Sequence, residues 1–249
     1  MLSKNKIKQI SALSQKKQRD EQSVFVAEGP KLVSDLLKTF KCKELFYVSG
    51  CEFNTSNNTM HQIVTADELK KISSLVTPQQ CLAIFEKPIY SIESNVFETE
   101  LSLVLDDVQD PGNLGTIIRI ADWFGIKNIF CSLHTADVYN PKTIQATMGA
   151  LAKVKIHYVD IDAFFKQLPK NTAVYGTFMD GDDIYTQALE NKGLIIMGNE
   201  GKGIQAICEQ HVNNRLYIPD YPRGEAGSES LNVAVATAIV CAEFRRRVK

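Results

Sequence analysis

The chain has 249 residues, 44% hydrophobic and 23% charged, a composition that excludes a disordered, collagen-like or coiled-coil protein. Its six cysteines form no C-x-x-C pair and its four histidines stand apart, so neither a zinc cage nor a disulfide framework is expected. No apolar stretch approaches the ~20 residues of a transmembrane helix. We therefore expect a cytoplasmic protein with reduced thiols, without a membrane or a metal as partner.

The net charge of −1 conceals an uneven distribution of charge. Residues 1–43 carry 10 Lys and Arg against 4 Asp and Glu, and a second basic cluster closes the chain at Arg245, Arg246, Arg247 and Lys249. Basic ends on an acidic body can hold phosphate groups, although such ends are often only solvated surface. Both interpretations remain open on charge alone.

Residues 1–90 predict a small α/β domain. Ile7, Ile10 and Leu13 have helical spacing among lysines, which indicates a basic amphipathic helix within 4–19. Strands are predicted at 24–26, 45–48, 62–64 and 81–85, and helices at about 30–40 and 66–75. The polar segment 87–99 shows no periodicity and marks the domain boundary.

Residues 100–249 predict a second α/β domain. Apolar runs lie near 101–105, 127–131, 153–158, 172–178, 193–197 and 215–218 and alternate with helical stretches, the pattern of a mostly parallel sheet covered by helices. The last helix is apolar on nearly every side between Leu231 and Val240, so it must be covered on several sides. Either the core surrounds it or, as we expect, it forms a homodimer interface.

The first motif, Asp110-Pro111-Gly112-Asn113-Leu114-Gly115, follows the strand at 101–105. Asp, Pro and Gly in succession favour a tight turn with Gly112 at positive φ and Asn113 as the helix N-cap. Arg119 lies four residues after Gly115, on the same helix face, and leans towards the loop. In isolation, the pattern is more typical of an arginine in an ordinary surface salt bridge.

The second motif is Gly198-Asn199-Glu200-Gly201-Lys202-Gly203, after another apolar strand. Three glycines allow a ligand to approach the backbone closely. With Ala206 the segment also matches the dinucleotide pattern G-x-G-x-x-A. Glu200 would repel a pyrophosphate, however, and only 46 residues follow Gly203, so a polar or cationic ligand is favoured. A plain glycine turn is the alternative.

The third motif is Ile218-Pro219 followed by Ser230-Leu231-Asn232-Val233 at the start of the apolar helix. Ser228 or Ser230 is a natural N-cap for that helix. Asn232 is harder to explain by packing, because an unpartnered amide in an apolar helix is costly. It therefore suggests a bound polar group.

In this order, N-x-G-x-x-x-R, G-x-E-G-x-G, I-P and S-L-N-V resemble the motifs of the SpoU (TrmH-type) RNA ribose 2′-O-methyltransferases of the SPOUT superfamily. The resemblance covers about 100–245. Residues 23–88 resemble the family's ribosomal-protein-like substrate-binding domain through Phe25–Pro30 and Thr77-Pro78-Gln79. The family resemblance implies a C-terminal domain with a trefoil knot, S-adenosyl-L-methionine as cofactor and a homodimer. It also implies structured RNA as partner, with ribosomal RNA favoured over transfer RNA.

The resemblance also implies which residues form the site. The catalytic set would be Asn113, Arg119, Glu200, Ser230 and Asn232. The cofactor-binding set would be Thr177, Gly198, Asn199, Gly203, Ile218 and Leu231. Residues 220–229 make the loop before Ser230 longer than is usual in the family, which leaves the cofactor contacts there undefined.

Two roles are open for Arg119, which is usually assigned to activation of the ribose hydroxyl. A guanidinium ion rarely releases a proton, so clamping a phosphate and stabilising the developing alkoxide are equally good assignments. For the basic arm we predict contact with the RNA backbone through Lys4, Lys6, Lys8, Lys16, Lys17 and Arg19.

Two other functions compete with this interpretation. An inactive RNA-binding or ribosome-assembly protein on the same scaffold would require damaged motifs, whereas Asn113, Arg119, Glu200 and Asn232 are all present. A nicotinamide-dependent oxidoreductase depends on the 201–206 pattern alone.

Overall fold

The computed structural model describes residues 1–55, 59–93, 95–222 and 230–246 and separates into two structural units. The first unit consists of residues 1–89 and 137–152, and the second of residues 90–136 and 153–249. Segment 137–152 thus groups with the first unit, although the chain on both sides of it belongs to the second.

The first unit contains a four-stranded sheet. The elements of residues 1–89 are α1 (Lys4–Ala12), α2 (Lys16–Gln22), β1 (Val24–Glu28), α3 (Pro30–Leu36), β2 (Cys42–Tyr47), β3 (Met60–Ile63), α4 (Ala66–Ile72) and β4 (Cys81–Glu86). The strand order is β1-β4-β2-β3, with β4 antiparallel to both neighbours and β2 parallel to β3. The predicted strands and helices are present, and the predicted basic helix is divided in two near Leu13.

The larger sheet belongs to the second unit. The elements after residue 90 are α5 (Val96–Thr99), β5 (Leu101–Leu105), α6 (Pro111–Trp123), β6 (Asn128–Ser132), α7 (Pro141–Thr147), β7 (Lys155–Val159), α8 (Ile161–Lys166), β8 (Val174–Asp183), β9 (Gly193–Met197), α9 (Ala206–Glu209), β10 (Asn214–Tyr217) and α10 (Val233–Arg246). The strands are ordered β10-β8-β9-β5-β6-β7, and every neighbouring pair is parallel. The predicted α/β class with its mostly parallel sheet is confirmed. The central strands β5 and β9 are buried at every residue, as expected of strands covered on both faces.

Arg19 is a structural residue of the first unit. Its side chain is only 2% exposed, and its Nη1 donates to the carbonyl oxygens of Leu13 and Ser14 at 2.8 and 2.7 Å. Its Nη2 pairs with Asp137 Oδ2 at 2.7 Å. The expectation that Arg19 binds RNA is therefore wrong, because its guanidinium is buried and its charge is neutralised inside the protein.

Most other cations of the arm also have acidic partners. Lys16 pairs with Asp20, Lys17 with Glu21 and Lys6 with Glu44. Among the residues the structure describes, Lys4 and Lys8 are the members of the predicted set without an ion pair. A run of basic residues in the sequence does not show which of their charges are neutralised by ion pairs in the folded protein.

The segment 137–152 packs on β1 through aromatic and polar contacts. The ring of Tyr139 stacks on Phe25 with centroids 5.0 Å apart, and Gln145 Nε2 donates to the carbonyl oxygen of Glu28 at 2.8 Å. Asp137 at the start of the segment holds Arg19. These contacts explain why the segment belongs to the first unit.

The register of the parallel strands aligns their carboxyl ends. Gly176 in β8 is opposite Ile196 in β9, and Leu105 in β5 is opposite Met197 in β9. The residues that follow these strands therefore emerge at one edge of the sheet, where open parallel α/β sheets bind their ligands. Within the part of the chain that the structure covers, no helix has the length and apolarity that a membrane span requires.

Candidate active site

Helix α6 begins one turn earlier than the sequence suggested. Asp110 is the N-cap, with its side chain accepting from the backbone N–H of Asn113 at 2.8 Å, and Pro111 occupies the first helical position. The predictions of an Asn113 cap and of positive φ at Gly112 are wrong, because Asp followed by Pro is a strong start signal. The Asn113 side chain is consequently free to bind elsewhere.

A chain of side-chain hydrogen bonds joins the three sequence motifs. Asn232 Nδ2 donates to Asn113 Oδ1 at 3.0 Å, and Asn113 Nδ2 donates to Glu200 Oε1 at 2.9 Å. Asn232 Oδ1 in turn accepts from the backbone N–H groups of Ala234 and Val235 in the first turn of α10. Three of the five residues of the predicted catalytic set are therefore linked by hydrogen bonds, with Asn113 in the middle.

Asn232 is the residue that caps α10. Its Oδ1 satisfies N–H groups that a helix leaves unpaired at its start. The expectation that Ser230 caps this helix is therefore wrong, and Ser228 lies outside the described residues. An Asn suits this position because one amide provides an acceptor for the helix and a donor for Asn113.

Asn199 organises the glycine loop from within. Its Oδ1 accepts from the backbone N–H groups of Gly201 and Lys202 at 2.9 and 3.0 Å, and its Nδ2 donates to the carbonyl oxygen of Asp107 at 2.8 Å. The backbones of Asn199 and Gly203 exchange two hydrogen bonds of 2.9 Å. The loop is thus closed on itself and attached to the end of β5.

Two glycines of this loop are required by the close approach of its two halves. A Cβ on Gly198 would lie 2.3 Å from the carbonyl carbon of Gly203 and 2.4 Å from the nitrogen of Ile204. Gly203 itself has φ of +70°, a conformation that favours glycine. The two halves of the loop are therefore in direct contact, and Glu200 between them is exposed.

Arg119 is exposed on α6, about one and two-thirds turns after Asn113. Of the arginines that the structure describes, Arg19, Arg215, Arg245 and Arg246 each donate to a protein acceptor, whereas Arg119 has none. The surface salt bridge considered as an alternative for Arg119 is therefore not formed. Its guanidinium is available to an external group and forms no hydrogen bond or ion pair with Asn113, Glu200 or Asn232.

The other predicted residues lie on the same edge or next to it. Thr177 is in β8 directly after the pair of Gly176 with Ile196, and Ile218 directly follows β10. Ser230 and Leu231 are exposed and immediately precede Asn232. Residues 223–229, which include most of the lengthened loop, lie outside the described residues.

Sequence reasoning did not identify Asp106 and Asp107, which follow β5. Both are buried, and Asp107 adopts φ of +61° although it is not glycine. A hydrogen bond from its backbone N–H to Ser132 Oγ, 2.9 Å long, accompanies this strained conformation. The signal in the sequence was a pair of acidic residues directly after a buried strand that is apolar except for Ser102.

The fold and the site define a class of protein, a parallel α/β domain whose loops place two asparagines and a glutamate together at the carboxyl edge of the sheet. Residues 100–242 match the model of the SpoU rRNA Methylase family, and residues 4–83 match the MRM3-like substrate binding domain. The chain belongs to the SpoU rRNA methylase family. The resemblance inferred from the motifs is confirmed.

Named relatives agree with this assignment over the whole chain. The chain is 32% identical over 245 residues to the 23S rRNA (guanosine(2553)-2′-O)-methyltransferase RlmP of Bacillus subtilis (strain 168), with 96% of each protein covered. It is 31% identical to an AdoMet-bound rRNA methyltransferase from Sinorhizobium meliloti, with a TM-score of 0.84 and coverage of 100% and 97%. A TrmH-family protein from Porphyromonas gingivalis has 38% identity, a TM-score of 0.89 and complete coverage of both chains.

Proposed function

We propose that this protein transfers a methyl group from S-adenosyl-L-methionine to a ribose 2′-hydroxyl of ribosomal RNA. The observation that carries the proposal is the hydrogen-bonded chain from Asn232 through Asn113 to Glu200, beside a helix that presents the unpaired Arg119. The RlmP relative is named for this reaction on 23S rRNA, which also supports the cytoplasm as the place of action.

The glycine loop has the features that S-adenosylmethionine requires. A Cβ on Gly203 would meet no atom within 4 Å, so a ligand can approach the backbone closely there, and the Glu200 carboxylate offers a negative charge to a cationic compound. Thr177, Gly198, Asn199, Gly203, Ile218 and Leu231 would hold the cofactor. The cofactor supplies an electrophilic methyl group on a sulfonium. The related AdoMet-bound structure from Sinorhizobium meliloti supports this assignment.

The protein's part in the reaction is to orient the ribose hydroxyl and to stabilise the charge that develops on it. An exposed guanidinium without an internal partner suits the binding of an RNA phosphate and the stabilisation of an alkoxide. The Glu200 carboxylate receives one hydrogen bond from Asn113, which fixes its position. Arg119 thus acts as an electrostatic clamp, and alignment of the reacting groups supplies much of the rate.

Neither competing function fits the described residues. An inactive scaffold has no support, because the motif residues are present and three of them are hydrogen-bonded to one another. In the nicotinamide interpretation a pyrophosphate would occupy the helix start after Gly203. That start belongs to the four-residue α9, and the N–H of its cap residue Gln205 already donates to Asp106.

We also propose that the protein is a homodimer that uses α10 and α6. Val235 on α10 is 50% exposed and Trp123 on α6 is 84% exposed, although the two helices pack against each other. Large apolar side chains left uncovered on neighbouring helices indicate a protein interface. Lys4 and Lys8 remain our candidates for contact with the RNA backbone.

The reaction is tested with radiolabelled S-adenosylmethionine and unmodified transcripts of large-subunit ribosomal RNA. We expect label in a 2′-O-methyl nucleoside after digestion, and a loss of at least about a hundredfold with Arg119→Ala. Lys166→Ala, which removes an exposed cation paired with Asp162, is the matched control and should retain full activity. Incorporation into a base, or equal activity of the Arg119 variant, would contradict the proposal.

A further inference from the structure

Asp106 is a buried carboxylate directly after β5, without an ion pair among the residues that the structure describes. It is only 1% exposed, and its backbone N–H donates to the carbonyl oxygen of Met197 at 2.9 Å. Burying a carboxylate is costly unless hydrogen bonds replace its water. The hydrogen-bond partners of the carboxylate therefore indicate which part of the structure it holds in place.

Both carboxylate oxygens bind the same residue. Oδ2 accepts from the backbone N–H of Gln205 at 2.7 Å, and Oδ1 accepts from Gln205 Nε2 at 3.0 Å. The Cys208 thiol lies against the same carboxylate, and burial together with this negative charge raises the pKa of the thiol, so it stays protonated as a donor. Two bonds to one residue fix both its position and its orientation.

Only one residue separates Gln205 from the glycine loop, and hydrogen bonds close that loop on itself. The position of Gln205 therefore determines the position of the loop. Gly203 lies two residues before Gln205 and exchanges two backbone hydrogen bonds with Asn199. Asn199 is bonded in turn to the carbonyl oxygen of Asp107. The end of β5 thus holds the loop at two points, one through the Asp106 carboxylate and one through the neighbouring carbonyl.

We infer that Asp106, through Gln205, is a positioning residue for the S-adenosylmethionine-binding loop. The inference depends on the proposed function, because it assigns a purpose to the geometry of the same site. A purely structural Asp106 would stabilise the fold without a specific effect on the cofactor. A positioning Asp106 affects cofactor affinity beyond what a comparable loss of stability produces.

The test measures the Kd of S-adenosylmethionine by calorimetry on the full chain. Asp106→Ala removes both acceptors of Gln205, so we expect Kd to rise about tenfold or more. In Asp106→Asn the new side-chain oxygen still accepts the backbone N–H of Gln205, and the new amide donates to Gln205 Oε1 once the Gln205 side-chain amide turns over. Both bonds return with one donor direction reversed, and Kd should stay within about threefold of the wild type.

Two further variants keep the inference testable. Gln205→Met retains the backbone bond but removes the side-chain bond, so Kd should rise severalfold, and this variant is the test if Asp106→Ala does not fold. Ile129→Val, a core change in β6, controls for loss of stability and should leave Kd unchanged. A wild-type Kd in Gln205→Met, or a Kd for Asp106→Asn as high as that for Asp106→Ala, would overturn the inference. No cofactor binding by the wild type would instead overturn the proposed function.

Discussion

The side-chain amide of Asn232 donates to the side-chain oxygen of Asn113 and thereby sets the direction of the whole hydrogen-bonded chain. Asn232 must turn its oxygen towards α10, because the N–H groups of that helix can only donate. Its nitrogen then faces Asn113, whose own nitrogen must face Glu200. The start of α10 therefore requires Glu200 to be an acceptor.

The first prediction separates capping from this directional role. Asn232→Asp keeps an oxygen for α10, since Asp and Asn cap equally well, but sets a second oxygen against Asn113 Oδ1. We expect the methylation rate to fall about tenfold or more with little change in Tm. Asn232→Ala should lose both the rate and about 1 kcal/mol of stability. A fully active Asn232→Asp enzyme would show that the direction of the chain is irrelevant.

The second prediction concerns the buried pair of Arg19 and Asp137 in the first unit. Asp137→Ala leaves a guanidinium that is 2% exposed without its counter-charge, so we expect a loss of about 3 kcal/mol in the free energy of unfolding. Lys16→Ala breaks an exposed pair with Asp20 and should cost less than about 0.5 kcal/mol. Urea denaturation of both variants measures the difference. Equal losses would contradict a structural role for Arg19.

The sheet of the second unit was predictable because its strands are buried on both faces. Runs such as Leu101–Leu105 and Gly193–Met197 are therefore almost continuously apolar, a signal that stands out in the sequence. The meeting of Asn113, Glu200 and Asn232 followed from the family motifs, since local spacing carries no information on contacts between residues 87 and 119 positions apart.

Local sequence rules failed where two residues were equally good helix caps and where the partner of a side chain lay far away in the sequence. Asp110 and Asn113 are both good caps, and Pro111 decided in favour of Asp110. Arg19 was grouped with exposed lysines because its partner Asp137 is 118 residues away. Asp106 was overlooked because an acidic residue after a strand is usually solvated, and only the structure shows its carboxylate bonded to Gln205.

The third prediction is a pH dependence of stability that comes from His157. Burial, together with the nearby positive charge of Lys155, lowers the pKa of His157 below its ordinary value of 6.5. As the pH falls, the unfolded chain therefore binds a proton near pH 6.5, whereas the folded protein binds it only at a lower pH. The free energy of unfolding thus has its full value above pH 6.5. It falls as the pH drops towards the lowered pKa, by at most about 1.4 kcal/mol per pH unit.

His157→Phe tests this pH dependence. Phenylalanine preserves the stacking on Phe130, whose ring centroid is 4.9 Å away, but cannot titrate. The bond with Asn128 is lost at every pH, so the variant should be less stable throughout, with a flatter profile between about pH 7.5 and 5.5. Urea midpoints across this range give the profile. An unchanged slope in His157→Phe would exclude His157 as its source.

The fourth prediction tests the α10 interface. Val235 is half exposed in the single chain, so Val235→Asp costs little in a monomer but buries an unpaired carboxylate in a dimer that uses this face. We expect sedimentation velocity to show a dimer for the wild type and a shift of the dissociation constant by about a hundredfold or more for the variant. Ile92→Asp changes a similarly exposed apolar residue of the same unit, which lies beside Glu100, Lys127 and Lys155, and should remain dimeric. A monomeric wild type, or a dimer unaffected by Val235→Asp, would show that α10 is covered by something other than a second copy.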